Sequence, residues 1–288
     1  VSGNFIQTSL KSKNKISNVN FRFRYVDTDF RSIGAQTRRV VFDNSPTSYP
    51  YYSNNYTQRK VSLLDFISDP NIYNQSLSTS LMNYNPMYSS VMPYGDATPN
   101  RIGVNAEIDE IKITDFMSAG LDLHYFSEII GQGTTQKKNF NKISFFATLA
   151  LDELLSLKNK VNIEGGINFE SVKREGSNFE KINFNSNLFS GSISIEIIKN
   201  LRIIGGAKVF YADGNEFITE RDSYDQVIDY SNNLFNSKET ILIGGIQHHF
   251  TDDIYFTLQY NQFNVLDKTA TEDEFSLSRL IFMFNMNL

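Results

Sequence analysis

The sequence predicts an all-β chain, a closed antiparallel β-barrel of about 12–14 strands. Three observations predict it. Apolar and polar residues alternate with a period of two along most of the chain, connections alternate between short and long, and all six prolines fall within one connection.

The alternation gives the strands in order. In ISNVNFRFRYVD, Val19, Phe21, Phe23 and Tyr25 share one face, with Asn18, Asn20, Arg22 and Arg24 on the other. RIGVNAEIDEI sets Ile102, Val104, Ala106 and Ile108 against Arg101, Asn105, Glu107 and Asp109. MSAGLDLHYFSE sets Met117, Ala119, Leu121, Leu123 and Tyr125 against Ser118, Asp122, His124 and Glu128. Ile143, Phe145, Ala147, Leu149 and Leu151 form a further apolar face, and Val161, Ile163, Ile167 and Phe169 oppose Asn162, Glu164, Asn168 and Glu170. Ile193, Ile195 and Ile197 oppose Ser192, Ser194 and Glu196, while Leu201, Ile203, Ala207, Val209 and Tyr211 oppose Arg202 and Lys208. Ile254, Phe256, Leu258 and Tyr260 oppose Thr257, Gln259 and Asn261, and the final RLIFMFNMNL sets Leu280, Phe282, Phe284, Met286 and Leu288 against Arg279, Asn285 and Asn287. With less regular segments at 3–12 and 238–250, the count is eleven.

Short turns fall near 11–15, 113–115, 157–160, 199–200 and 251–253; long connections span 28–100, 130–139, 173–181, 213–237 and 267–273. Pro46, Pro50, Pro70, Pro86, Pro93 and Pro99 all lie in the first long connection, as expected if Pro is kept out of a hydrogen-bonded ladder. That connection also holds eight of the 15 Tyr, which points to a structured loop, with a short helix expected near 61–67. An antiparallel meander of eleven strands starts and ends in the same direction, so at least one further strand is expected. It lies upstream of Val1 or within 28–100, where 38–42 is the best candidate.

Composition narrows the function classes. The chain of 288 residues has 24 Phe and 15 Tyr but no Trp and no Cys, which excludes disulfides, thiolate metal sites and a cysteine nucleophile. Net charge is −5 without any basic block, against a nucleic-acid partner. No apolar run approaches the ~20 residues of a spanning helix, whereas membrane strands need only ~9–11 alternating residues. The mean hydropathy of −0.32 is compatible with such strands. The first residues lack the basic start and apolar core of a signal peptide, as in a mature or trimmed chain or one that needs no export.

Paired glycines recur in IEGGINF, LRIIGGAKVF and LIGGIQHHF, read as sites of barrel curvature rather than a solenoid repeat. His248 and His249 are adjacent and face opposite ways in a strand, so they share no metal through one face. His124 lies between Asp122 and Glu128 on the polar face, but no Ser partner is identifiable by spacing, and ordinary hydrogen-bonded structure is the expectation. The acidic stretch DGNEFITERDSYDQVID matches no EF-hand spacing and is read as a solvated loop. There is no phosphate-cradling glycine motif and no GxSxG elbow.

The alternating strands, the sorted connections and the terminal Leu280, Phe282, Phe284 and Met286 together resemble a bacterial outer-membrane β-barrel, porin-like, in the Asn-, Ile- and Lys-rich style of Bacteroidota. Barrels of that kind typically end on an aromatic, usually Phe, where this chain has Leu288. The resemblance implies a Gram-negative outer-membrane location, short periplasmic turns, long extracellular loops, and contact with lipid bilayer and lipopolysaccharide. It implies a single transmembrane domain over 1–288, standing alone or as the C-terminal part of a longer polypeptide. The polar face becomes the lumen lining, with Arg22, Arg24, Arg101, Glu107, Asp109, Asp122, His124, Glu128, Glu164, Glu170, Arg202, Lys208 and Arg279; Phe21, Phe23, Tyr25, Phe256, Tyr260, Phe282 and Phe284 become lipid-facing. Two functions follow as expectations: passage of small polar solutes through a charged lumen, or a non-conducting structural or docking barrel in a surface or secretion complex, with 28–100 as plug or docking element. Neither calls for catalysis, a metal or a cofactor. The competing fold is a soluble β-sandwich or β-helix, whose outward Phe rows would be aggregation hazards.

Overall fold

The computed structural model describes residues 3–13, 18–28, 30, 86–132, 134–221, 227–251, 254–269 and 273–286. They form an antiparallel sheet of eleven strands in sequence order: β1 (Phe5–Lys13), β2 (Asn18–Val26), β3 (Arg101–Thr114), β4 (Met117–Ser127), β5 (Asn139–Ala150), β6 (Val161–Arg174), β7 (Ile182–Ile198), β8 (Leu201–Arg221), β9 (Val227–His249), β10 (Ile254–Asp267) and β11 (Asp273–Met286). Each strand pairs with its neighbours in the chain, the topology that short connections favour.

Alternation locates every strand, because a period of two is stable only where one face differs in environment from the other. Local chemistry then ends them. Asn200, at φ 69°, takes the left-handed position of the two-residue turn between β7 and β8, a conformation Asn tolerates better than most residues. The β5–β6 connection is longer than expected. β5 stops at Ala150, and Leu151, expected on its apolar face, opens a one-turn helix α1 (Leu151–Leu155). α1 stops at Ser156, whose φ of 51° is left-handed and whose backbone N–H returns to the Asp152 carbonyl.

The largest difference from the sequence reading lies at 213–237. Residues 213–221 continue β8 and 227–237 belong to β9, paired from Asp213↔Asn236 to Arg221↔Val227, rather than forming a loop; 222–226 lie outside the described residues. Its acidic and Asn/Ser-rich composition imitates a loop, but Phe217 and Phe235 keep the alternation going. Gly214 permits this: at φ 111°, a Cβ there would lie 1.9 Å from the Asn183 carbonyl oxygen of β7.

The expected closure is not seen in the pairing. Among the described residues β1 pairs only with β2 and β11 only with β10, leaving two free edges. The described strands number eleven rather than 12–14, and the segments expected as a further strand (38–42) and as a helix (61–67) lie outside the described residues. The sheet is nonetheless strongly curled. Tyr88 bonds Glu239 on β9, and four residues later Met92 Sδ receives Arg24 of β2. Seven strand spacings separate β2 from β9, ~33 Å in a flat sheet, whereas four residues of chain span at most ~14 Å. Side chains stand roughly perpendicular to a sheet and do not bridge the difference.

Candidate functional site

The two faces of the sheet are inverted relative to a soluble protein. On one face Phe282 and Phe284 are each 64% exposed, joined by exposed Phe21, Phe23 and Tyr260 and half-buried Tyr25 and Phe256. On the other, Arg24 is 1% exposed and Glu170 6%. The seven residues expected to meet lipid all occupy the first face, as the registers Phe21↔Ala106, Phe23↔Val104, Tyr25↔Ile102, Leu258↔Phe282 and Tyr260↔Leu280 require.

The inner face holds a segment of the long β2–β3 connection, 86–98, which positions the candidate site. Met87 and Val91 are buried in an apolar cluster with Phe126, Phe140, Val172, Phe184, Phe210, Phe235 and Phe263, drawn from β4 to β10. Polar ties orient it. The Glu170 carboxylate accepts the backbone N–H groups of Ser90 at 2.9 Å and Val91 at 3.3 Å and the Ser90 hydroxyl at 3.1 Å. Arg101 Nε donates to the Val91 carbonyl at 3.2 Å while its guanidinium lies 3.6 Å from the centre of the Phe140 ring. Tyr88 donates its hydroxyl to Glu239 and tilts against Phe210, ring centres 5.1 Å apart. Asp96 meets Arg24 at 2.8 Å, and Arg24 Nε donates to Gln7 at 3.1 Å. The buried charges of Glu170, Arg101 and Arg24 thus each have a partner, which is what makes their burial tolerable.

Below this segment runs a ladder of polar side chains in register. Asn20 pairs Glu107, Glu107 pairs Asp122, Asp122 pairs Ser144, and Ser144 pairs Asn168. Arg22 bonds Glu107, His124 Nε2 lies 2.7 Å from Asp122, Lys142 lies 3.6 Å from the same carboxylate, and Ser144 donates to Asn168 at 2.7 Å. His124 therefore belongs to a hydrogen-bonded charge network, and among the described residues no nucleophilic hydroxyl bonds it.

Toward the short-turn end the inner face opens. Glu164 and Arg202, with Asn162, Ser192, Ser194 and Gln247, line a cavity of about 350 Å³. A second, about 280 Å³, lies against Lys112, Ser118, Thr148 and Glu164. On this face Gly206 stands opposite Ile243 and Gly245 opposite Ile204, each without a side chain, whereas the pairs Gly205↔Gly244 and Gly165↔Gly191 lie on the other face.

Lys208 and Arg279 are half-buried on this same face, Arg279 opposite Asn261. Two of the charges sit less regularly: Asp109 lies in a β-bulge of β3 and is exposed, and Glu128 follows the end of β4, buried, accepting the Lys138 N–H at 2.9 Å. His248 contacts Phe250 and His249 stacks on Tyr255, on opposite faces as expected. Among the described residues no group of His and carboxylate side chains could hold a metal.

Sequence reasoning missed Tyr88, Ser90 and Val91 as interior groups, Asp96 as the exposed partner of buried Arg24, and Lys138, Arg174 and Glu216 as buried charges. The density of Tyr in the long connection was the one signal that it was structured; its contacts are non-local and carry no periodicity. Comparison with protein-family models, with curated proteins and with solved structures gave no match to this chain.

Proposed function

We propose that this chain is an outer-membrane β-barrel whose interior is occluded at the long-connection end by 86–98, a non-conducting structural or docking component rather than an open channel. The inversion of the two faces carries the membrane reading: an aromatic and aliphatic face left exposed among the described residues suits hydrocarbon, and buried Arg24 and Glu170 suit an enclosed polar interior. Strand direction adds a condition on closure. β1 and β11 run the same way, so a fully antiparallel barrel needs one more strand between them. Occlusion rests on the Ser90 and Val91 hydrogen bonds to Glu170 and on the apolar packing of Met87 and Val91.

Planar-bilayer recording of folded protein tests the reading. Silence is expected, and a stable open conductance sinks the occluded barrel. The membrane assignment has its own test: folding to a monodisperse monomer without detergent overturns it. A second reading, passage of small polar solutes, is favoured by the polar cavities at the short-turn end and requires 86–98 to leave the interior.

A further inference from the structure

A pocket of about 150 Å³ lies at the long-connection end, apart from the interior segment. Its walls are Gln132, Thr134 and Lys138 of the β4–β5 connection, Arg174 at the end of β6, Phe179 and Glu180 of the β6–β7 connection, and Phe217 on β8. Arg174 is 5% exposed. Its Nε donates to the Glu180 carbonyl at 2.6 Å and its guanidinium lies 5.2 Å from the centre of the Phe217 ring, but among the described residues neither terminal nitrogen finds an acceptor. Lys138 is buried and spends one ammonium N–H on Glu216, at 2.7 Å.

The donors and acceptors do not balance. An arginine has five N–H donors and a lysine three, so about six remain unused on these two side chains. The nearby carboxylates are already engaged: Glu180 accepts from Thr134 and from the Ser177 hydroxyl and N–H, and Glu216 accepts from Lys138 and the Phe217 N–H. Glu180, itself in the wall, is thus occupied, and what the unused donors of Arg174 and Lys138 lack is a further acceptor-rich group. Beside the pocket Phe179, 89% exposed, offers a bare aromatic face at the rim.

We propose that this pocket binds an acidic sugar, with its carboxylate or phosphate on Arg174 and Lys138 and its ring over Phe179. The volume admits the anionic group and leaves the ring at the rim. The pairing is chemical: a planar guanidinium grips an oxyanion through two parallel N–H bonds, and Gln132 in the same wall supplies an amide for ring hydroxyls.

The test is an NMR titration of the full chain, folded in detergent micelles, with glucuronate, glucose and inorganic phosphate. Glucuronate is expected to shift the Arg174 Nε–H and Phe179 ring signals together, with a Kd on the order of 1 mM, and glucose to shift neither. Arg174→Gln should weaken glucuronate binding at least ~10-fold, the loss of one charge-assisted pair. Should that variant not fold, Gln132→Glu, at an exposed position, places a like charge at the pocket and should weaken binding several-fold. Glucose binding as well as glucuronate, or no response to glucuronate, overturns the proposal. Equal binding of phosphate and glucuronate, unchanged in Phe179→Ala, overturns its saccharide part.

Discussion

Glu170 and Ser90 stand 80 residues apart in the chain, yet one oxygen of Glu170 accepts both the Ser90 N–H at 2.9 Å and its hydroxyl at 3.1 Å. The contact holds a loop segment inside a sheet. Glu170→Gln keeps the shape but removes the charge that strengthens these bonds, worth ~1.5–3 kcal/mol. The expected outcome is a roughly 10- to 100-fold rise in open events in bilayer recordings.

The apolar cluster around the segment has its own anchor. Phe184 is buried and meets Phe235 edge-on, ring centres 5.1 Å apart. Phe184→Ala should cost about 3–5 kcal/mol, read as a lower urea midpoint with an unchanged slope in micelles.

Lys138 and Glu216 form a buried pair at 2.7 Å. Lys138→Met strands the carboxylate and should destabilise by about 3–5 kcal/mol, whereas Lys138→Met with Glu216→Leu should recover most of it. A double variant no better than the single one would show that the pair is not what Lys138 contributes.

Glu180 is held down to about 2, from an ordinary 4.5, first by the Thr134 hydroxyl and then by the Ser177 hydroxyl and N–H. Because the folded value lies below the unfolded one, its contribution is fully present above about 4.5 and lost as pH falls toward about 2. A carbonyl ¹³C titration should find that low midpoint, and Thr134→Val should move it upward.

The two faces should answer a charge differently. Phe282→Arg, on the exposed apolar face, should cost about 2–4 kcal/mol if the residue lies near the bilayer midplane. Asn285→Arg, half-buried on the inner face, should cost less. Folding into lipid vesicles measures both, and equal costs would remove the case for lipid contact.

Most of the sheet was legible because alternation is a local property. Phe21, Phe23 and Tyr25 declare a face without reference to any other strand, and the eleven strands counted from sequence recur at nearly the same places. Errors arose where composition outweighed period: Asp213 to Arg221 and Val227 to Asn236 look like loop residues yet pair in a ladder, and Leu151, apolar and in phase, starts a helix instead. The charged inner face was readable as a face, but its partners were not. Lys138 with Glu216 and Tyr88 with Glu239 join residues brought together only by curling.

The sequence by itself determined which residues share a face, which way each strand runs, and that an odd meander leaves β1 and β11 parallel, since all three follow from a two-residue period and the order of turns. Only the tertiary structure decided that 86–98 lies inside the curled sheet, that one end of the interior is apolar and filled while the other is polar and open, and that the terminal nitrogens of Arg174 face a pocket without an acceptor for them. Those outcomes depend on the curvature of the sheet and on contacts between distant segments, which no local period encodes.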